Sequence, residues 1–317
     1  MPNLKIADLV AASDVIVIAH VHEVKEEGPA PPVLFRGQAI AAHKYVAEGE
    51  VLSFVKGSIS GHLSVRYNLP DLFIGYQGLR PGVRAVFLRR SGNTFDLADP
   101  YYPDLPAVSP VPPADASGDY VSAIERGMLA VIGSSSTTAA EKSEILRFDY
   151  TLPRTKSTIL ALRSGLANLG DEDLRQRMEG ELINFGDLAE LPNVVSLLLH
   201  NSATSNQQVW LRYVIGNKIT DPVAIPSLRR LLDSNDSAAR EAAAQALWHI
   251  AAPAAVPSLA SALEDPDESV RFYAVRGCAD IANEFGWGGP SESQFRQHEP
   301  EYLDHWRMWA KSYRAPQ

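Results

Sequence analysis

The chain of 317 residues contains one cysteine, Cys278. That excludes an intramolecular disulfide framework, so packing and hydrogen bonds alone must hold the fold. No apolar run approaches the roughly 18 residues of a membrane-spanning helix. Val15 to Ala19 is also too short for the core of a signal peptide. The expectation is a chain without membrane insertion, either cytoplasmic or the mature form of an exported protein. Also lacking are a Gly-x-Ser-x-Gly elbow, a glycine-rich phosphate loop and a His-Glu-x-x-His helix. No residue therefore reads as catalytic, no cofactor is implied, and the expected protein is not an enzyme.

Basic charge is scarce too. The net charge is −9, while residues 1 to 100 hold ten Lys/Arg against ten Asp/Glu, so the whole deficit lies beyond residue 100. Nucleic-acid binding runs on a basic footprint, and no nucleic-acid partner is expected. The cluster Arg84, Arg89 and Arg90 reads as a solvated strand edge, since edge charges prevent unwanted strand pairing.

What the chain does have is a repeat. Pro222 to Ala252 and Pro253 to Asn283 spell the same helical hairpin, with starts 31 residues apart. Ala224, Ile225, Pro226, Ser227 and Leu228 fall on Ala255, Val256, Pro257, Ser258 and Leu259. In the second helix, Ala239, Ala243, Ala246, Leu247 and Ile250 fall on Val270, Ala274, Gly277, Cys278 and Ile281. That spacing of i, i+4, i+7, i+8, i+11 is one stripe of an α-helix. Asp265 is placed to cap the helix that follows, with Pro266 at its first position. Ile/Val-Pro-x-Leu, then Leu-x-x-x-Asp, then Arg-x-x-Ala-x-x-Ala-Leu-x-x-Ile resembles the short HEAT-like repeats also named after phycobilisome lyases.

Such repeats cannot bury their apolar faces alone, and about three or more are needed for a stable stack. Weaker copies are read upstream, at Val194 to Ile219 and at Ile159 to Phe185, making about four hairpins over residues 155–285. A closing helix is expected at 299–313, where Tyr302, Trp306, Trp309 and Tyr313 share one face. This pattern is similar to the last helix of some bacterial HEAT-repeat proteins, and the stripe reads as a lid on the stack rather than a ligand platform.

The first hundred residues follow a different period. Val15, Val17, Ala19 and Val21 alternate with Ile16, Ile18, His20 and His22, which predicts a strand buried on both faces at first and half-exposed at its end. Further strands are expected at 39–47, 51–55, 62–67, 85–89 and 94–97, together forming a small antiparallel β-barrel. Leu9-x-x-x-Ser13-Asp14-Val15, Phe54-Val55-Lys56-Gly57 and Leu79-x-Pro81-Gly82-x-x-Ala85-Val86-Phe87-Leu88 resemble an OB-like module, distantly similar to the netrin-like domain of tissue inhibitors of metalloproteinases. Those inhibitors act through an N-terminal cysteine, which this chain lacks, so that mechanism is not implied.

The expected architecture is thus α+β with two domains: an OB-like β domain over 1–101, a proline-rich linker over 102–117 and a helical domain over 118–317. Its leading function is protein interaction through the concave side of an α-solenoid. Two other readings stand beside it: a tetrapyrrole-related lyase or chaperone, suggested by the repeat's name, and an inhibitory or peptide-binding barrel using Tyr101, Tyr102 and the strand edges. His20 and His22 are weak metal candidates, because residues two apart on a strand point the same way, yet zinc takes three or four ligands. His43 and His62 have no spacing that demands convergence with them. Arg175, Arg212, Arg240 and Arg271 are the candidate binding row, or else internal ties to acids such as Asp236 or Asp267 of a neighbouring hairpin.

Overall fold

The structure, a computed structural model, describes residues 5–35, 37–71, 77–109, 118–147, 152–167, 169–284 and 287–314. The chain divides into two compact units, Met1–Asn168 and Leu169–Gln317.

The first unit opens with α1 (Ile6–Ala12). Six strands follow: β1 (Val15–Phe35), β2 (Gln38–Lys56), β3 (His62–Pro70), β4 (Gly82–Ser91), β5 (Thr94–Leu97) and β6 (Asp104–Pro106). The helices α2 (Tyr120–Gly133), α3 (Ala139–Leu146) and α4 (Lys156–Leu166) complete it. The sheet is antiparallel in the order β3-β2-β1-β4-β5, with β6 also on β4. Strand alternation sorts its side chains. Val15, Val17, Ala19 and Val21 join Ala47, Leu63, Val65, Val86 and Leu88 in one core. Ile18 and Ala85 face the other way, against Ile124 and Met128 of α2. Lys56 donates to Val10 O at 2.9 Å and Ser13 O at 2.5 Å, placing a cation at the C-terminal end of α1.

Four sequence expectations change here. The sheet is not closed into a barrel: β5 is four residues long and pairs with β4, and no ladder joins it to β3 among the described residues. The strands expected at 39–47 and 51–55 are one strand, β2. Gly49 inside it is no turn residue; a Cβ there would lie 2.4 Å from His20 O, so its absence lets β1 approach. Residues 23–35, not expected as strand, pair along β2, and Pro29, Pro31 and Pro32 sit on a stretch that β4 does not reach. Prolines are tolerated on such an edge because they cannot donate to a further strand. Asp104–Pro106, inside the stretch read as linker, form β6 and are buried; residues 110–117 lie outside the described residues.

The second unit is helical: α5 (Glu172–Asn184), α6 (Leu191–Leu199), α7 (Ser205–Lys218), α8 (Ile225–Leu231), α9 (Ser237–Ile250), α10 (Val256–Ala262), α11 (Glu268–Ala282) and α12 (Glu292–Ser312). Helices α5, α7, α9 and α11 stack in one layer; α6 meets α8 in the other, α10 sits on α9 and α11, and α12 closes on α10 and α11. The hairpin expected from Ile159 to Phe185 is not a single unit of this stack, since α4 belongs to the first unit and packs on α2. Small residues set the helix spacing. Ala239, Ala243, Ala246, Val270 and Ala274 are fully buried, and a Cβ on Gly277 would meet Leu259 Cδ1 at 2.9 Å and Trp248 Cα at 3.3 Å.

Capping also departs from expectation. Asp267, not Asp265, caps α11 by accepting from Ser269 N at 2.9 Å, and Pro266 stays in the turn. The closing helix begins at Glu292 with a Ser291–Gln294 capping box, seven residues before the expected start. It bends at His298, two residues before Pro300, whose missing N–H interrupts the helical ladder. Trp306 is fully buried, while Tyr302 and Trp309 pack on the same core.

Candidate functional site

Each second helix carries an arginine, in the first turn of α5, α9 and α11 and in the middle of α7, and three of the four reach the next element of the stack. Arg212 Nη2 lies 2.5 Å from Asp236 Oδ2. Arg240 grips Asp265 with Nε to Oδ2 at 2.8 Å and Nη2 to Oδ1 at 3.0 Å, and donates from Nη1 to Ser234 O at 2.9 Å. Arg271 donates from Nε to Glu299 Oε1 at 2.6 Å and from Nη1 to Asp265 O at 2.8 Å. Arg175 stays local, 3.5 Å from Glu172 and bonded to Leu169 O. Arg240 thus takes neither Asp236 nor Asp267. Asp236 and Asp267 cap their own helices, accepting from Ala238 N and Ser269 N, and Asp236 also takes Arg212 of the preceding hairpin. A guanidinium committed to a two-point carboxylate grip has little left for a ligand.

The same second helices carry another row, which sequence reasoning passed over. Gln245 Nε2 donates to Asn217 Oδ1 at 3.2 Å, the His249 ring bonds Gly216 O at 2.8 Å, and Trp248 Nε1 donates to Asp280 Oδ2 at 2.6 Å. Arg276 lies 3.9 Å from the Trp248 ring centre, and Tyr273 stacks on Trp248 at 5.7 Å. On the earlier helices Arg177 lies 4.1 Å from the Trp210 ring, and Trp210 stacks on Tyr213 at 5.8 Å. Cation–π and aromatic contacts of this kind fix side chains across neighbouring helices. The row still meets solvent on α7, where Val209 is 72% and Tyr213 43% exposed. Half-buried Glu241 adds an acid beside it. Burial first, and then the charges of Asp267 and Glu292, raise its pKa.

One carboxylate in this unit is buried without full compensation. Glu179 of α5 is 3% exposed, accepts from Asn193 Nδ2 at 2.8 Å, and its Oε2 has no hydrogen-bond partner. Burial, reinforced by the charge of Glu190, pushes its pKa up to about 7.

In the first unit the sequence's solvated Arg84 is a buried centre. Arg84 Nη2 bonds Asp104 Oδ1 and Glu144 Oε1, each at 2.7 Å, tying β4 to β6 and α3. Arg80 adds a second cation, with Nη1 2.6 Å from Glu144 Oε2. Burial opposes the charge of Arg84, but Asp104 and Glu144 outweigh it and raise its pKa. The cluster neutralises itself and offers no free acid or base.

His20 and His22 lie side by side and exposed inside β1, which runs 13 residues beyond the end expected at His22, with ring centres 4.4 Å apart. His43 is elsewhere on the sheet, bonded to Glu26 and 3.3 Å from Asp71. No three His, Cys, Asp or Glu side chains converge as a preformed metal site among the described residues. Cys278 is buried, which pushes its thiol up to about 12 and keeps it protonated. Tyr102 is buried as well, and so presents little surface for an inhibitory contact. No described helix is long and apolar enough to cross a membrane.

Comparison with known proteins agrees with this geometry in the second unit. Residues 225–286, which span α8 to α11, match the family of HEAT repeats. No curated protein matches the chain. HEAT repeats are commonly protein-interaction scaffolds.

Proposed function

We propose that the protein is a non-enzymatic scaffold that binds a protein partner through the second-helix layer of its helical repeats. The observation that carries this reading is the division of labour on those helices. Arg212, Arg240 and Arg271 are consumed by ties to the next element of the stack, while Tyr213 of the aromatic row and Val209 beside it reach solvent. Exposed aromatic and apolar side chains on a rigid, repeated layer supply contact area with little ordering cost.

Photo-cross-linking tests it. A photoreactive residue at Val209 or Tyr213 in the full chain, irradiated in native extract, gives a discrete adduct, whereas the same group at Lys44 on the sheet gives none. Adducts from Lys44 alone would move the role to the first unit.

A further inference from the structure

β1 changes character at residue 20. Ile16 and Ile18 are fully buried on the face that α2 covers, whereas His20 and His22, which follow in the same alternation, are exposed. Pairing then does what sequence spacing could not show. Glu50 of β2 is directly opposite His20, and His62 of β3 is directly opposite Glu50. Directly opposed residues of neighbouring strands point to one face with Cβ atoms about 4.5–5.5 Å apart. His20, Glu50 and His62 therefore form one row across three strands. His22 joins it along the strand, its ring centre 4.4 Å from that of His20. The register shift between Val21 and Glu23 falls at this point, and such bulges re-aim the side chains beside them.

We propose that this row binds a divalent transition-metal ion of the zinc class, with His20, His22 and Glu50 as ligands and His62 as the fourth. Imidazole nitrogen and carboxylate oxygen are the donors such ions take, at about 2.0–2.2 Å and in tetrahedral geometry. The four side chains do not already converge. Ligation turns them about χ1 and χ2, which the exposure of all four permits. That adjustment places the affinity on the order of micromolar rather than tighter. The outer surface is open nearby, in a cavity of about 240 Å³ lined by Glu23, Lys25, Glu27, Val46 and Glu48. This site is independent of the helical repeats, so its failure would leave the scaffold reading intact.

The test titrates the untagged full chain with Zn²⁺ and, for its absorption bands, Co²⁺, at pH 7.5. One saturable equivalent is expected. His20→Ala, His22→Ala and Glu50→Gln each lower the affinity at least tenfold, His62→Ala lowers it less, and His200→Ala leaves it unchanged. Circular dichroism verifies that each variant is folded. Absence of saturable binding at millimolar metal would overturn the proposal, and so would binding that survives any one of the three ligand substitutions.

Discussion

Arg240 of α9 and Asp265, in the turn before α11, face each other as a two-point pair, with bonds of 2.8 and 3.0 Å and side chains 12% and 9% exposed. The pair links successive hairpins at a point shielded from most solvent screening. Arg240→Ala leaves Asp265 buried without its counter-ion, and loss of such a charged hydrogen bond costs about 2 to 3 kcal/mol. Arg296→Ala removes a pair that is 63% and 41% exposed and screened by solvent, and costs far less. Denaturant unfolding of both variants checks the contrast; equal losses would mean that the Arg240 pair is not a structural tie.

Glu179 makes stability depend on pH in the less usual direction for an acid. Its pKa is about 7 in the folded chain against an ordinary 4.5, so the folded state favours the protonated form. Stability is therefore fully present below pH 4.5, declines as pH rises to about 7, and is flat above. Glu179→Gln keeps an acceptor for Asn193, cannot ionise, and stabilises the protein at pH 8 by up to about 3 kcal/mol. Thermal melts of both proteins from pH 5 to 8 give the slope, and parallel curves would contradict this assignment.

Gly277 occupies a position where the second-helix stripe has no room. A methyl group there meets Leu259 and the backbone of Trp248, and overpacking of this kind costs about 1 to 3 kcal/mol, outweighing the helix-propensity gain of about 1 kcal/mol. Gly277→Ala is expected to lower the melting temperature; a rise would show that α9 and α11 can separate freely.

The closing helix gives a graded series. Trp306 is fully buried against the repeat core, and Trp306→Ala costs about 3 to 5 kcal/mol. Tyr313, at the helix end and partly exposed, costs far less on truncation. Equal effects in a melting experiment would contradict the lid.

The repeats were legible because their information is local. A 31-residue period, alanines at helical spacing and a proline at each first helix are set by neighbours in sequence, and the family match covers the same two hairpins. The partners were legible only in part: Arg212 takes Asp236, one of the acids expected, whereas Arg240 takes Asp265. Asp236, Asp265 and Asp267 each accept a backbone amide, so which of them meets Arg240 is decided by how successive hairpins stack. The sheet was read less well for a similar reason. Gly49 carries the same letter whether it turns the chain or lets another strand approach, and only the strand opposite it decides. Arg84 looked like surface charge until β6 and α3 brought two carboxylates to it. The Trp210 and Trp248 row was missed because its cations, Arg177 and Arg276, lie on neighbouring helices.

The most direct test of the scaffold reading is the affinity of a partner captured by the cross-link for Val209→Glu and Tyr213→Glu, each in the full chain. Both side chains are exposed on α7 and make no tie between hairpins, so melting temperatures should hold while affinity falls at least tenfold. Unchanged affinity in both variants, with the fold intact, would contradict a binding surface on the second-helix layer.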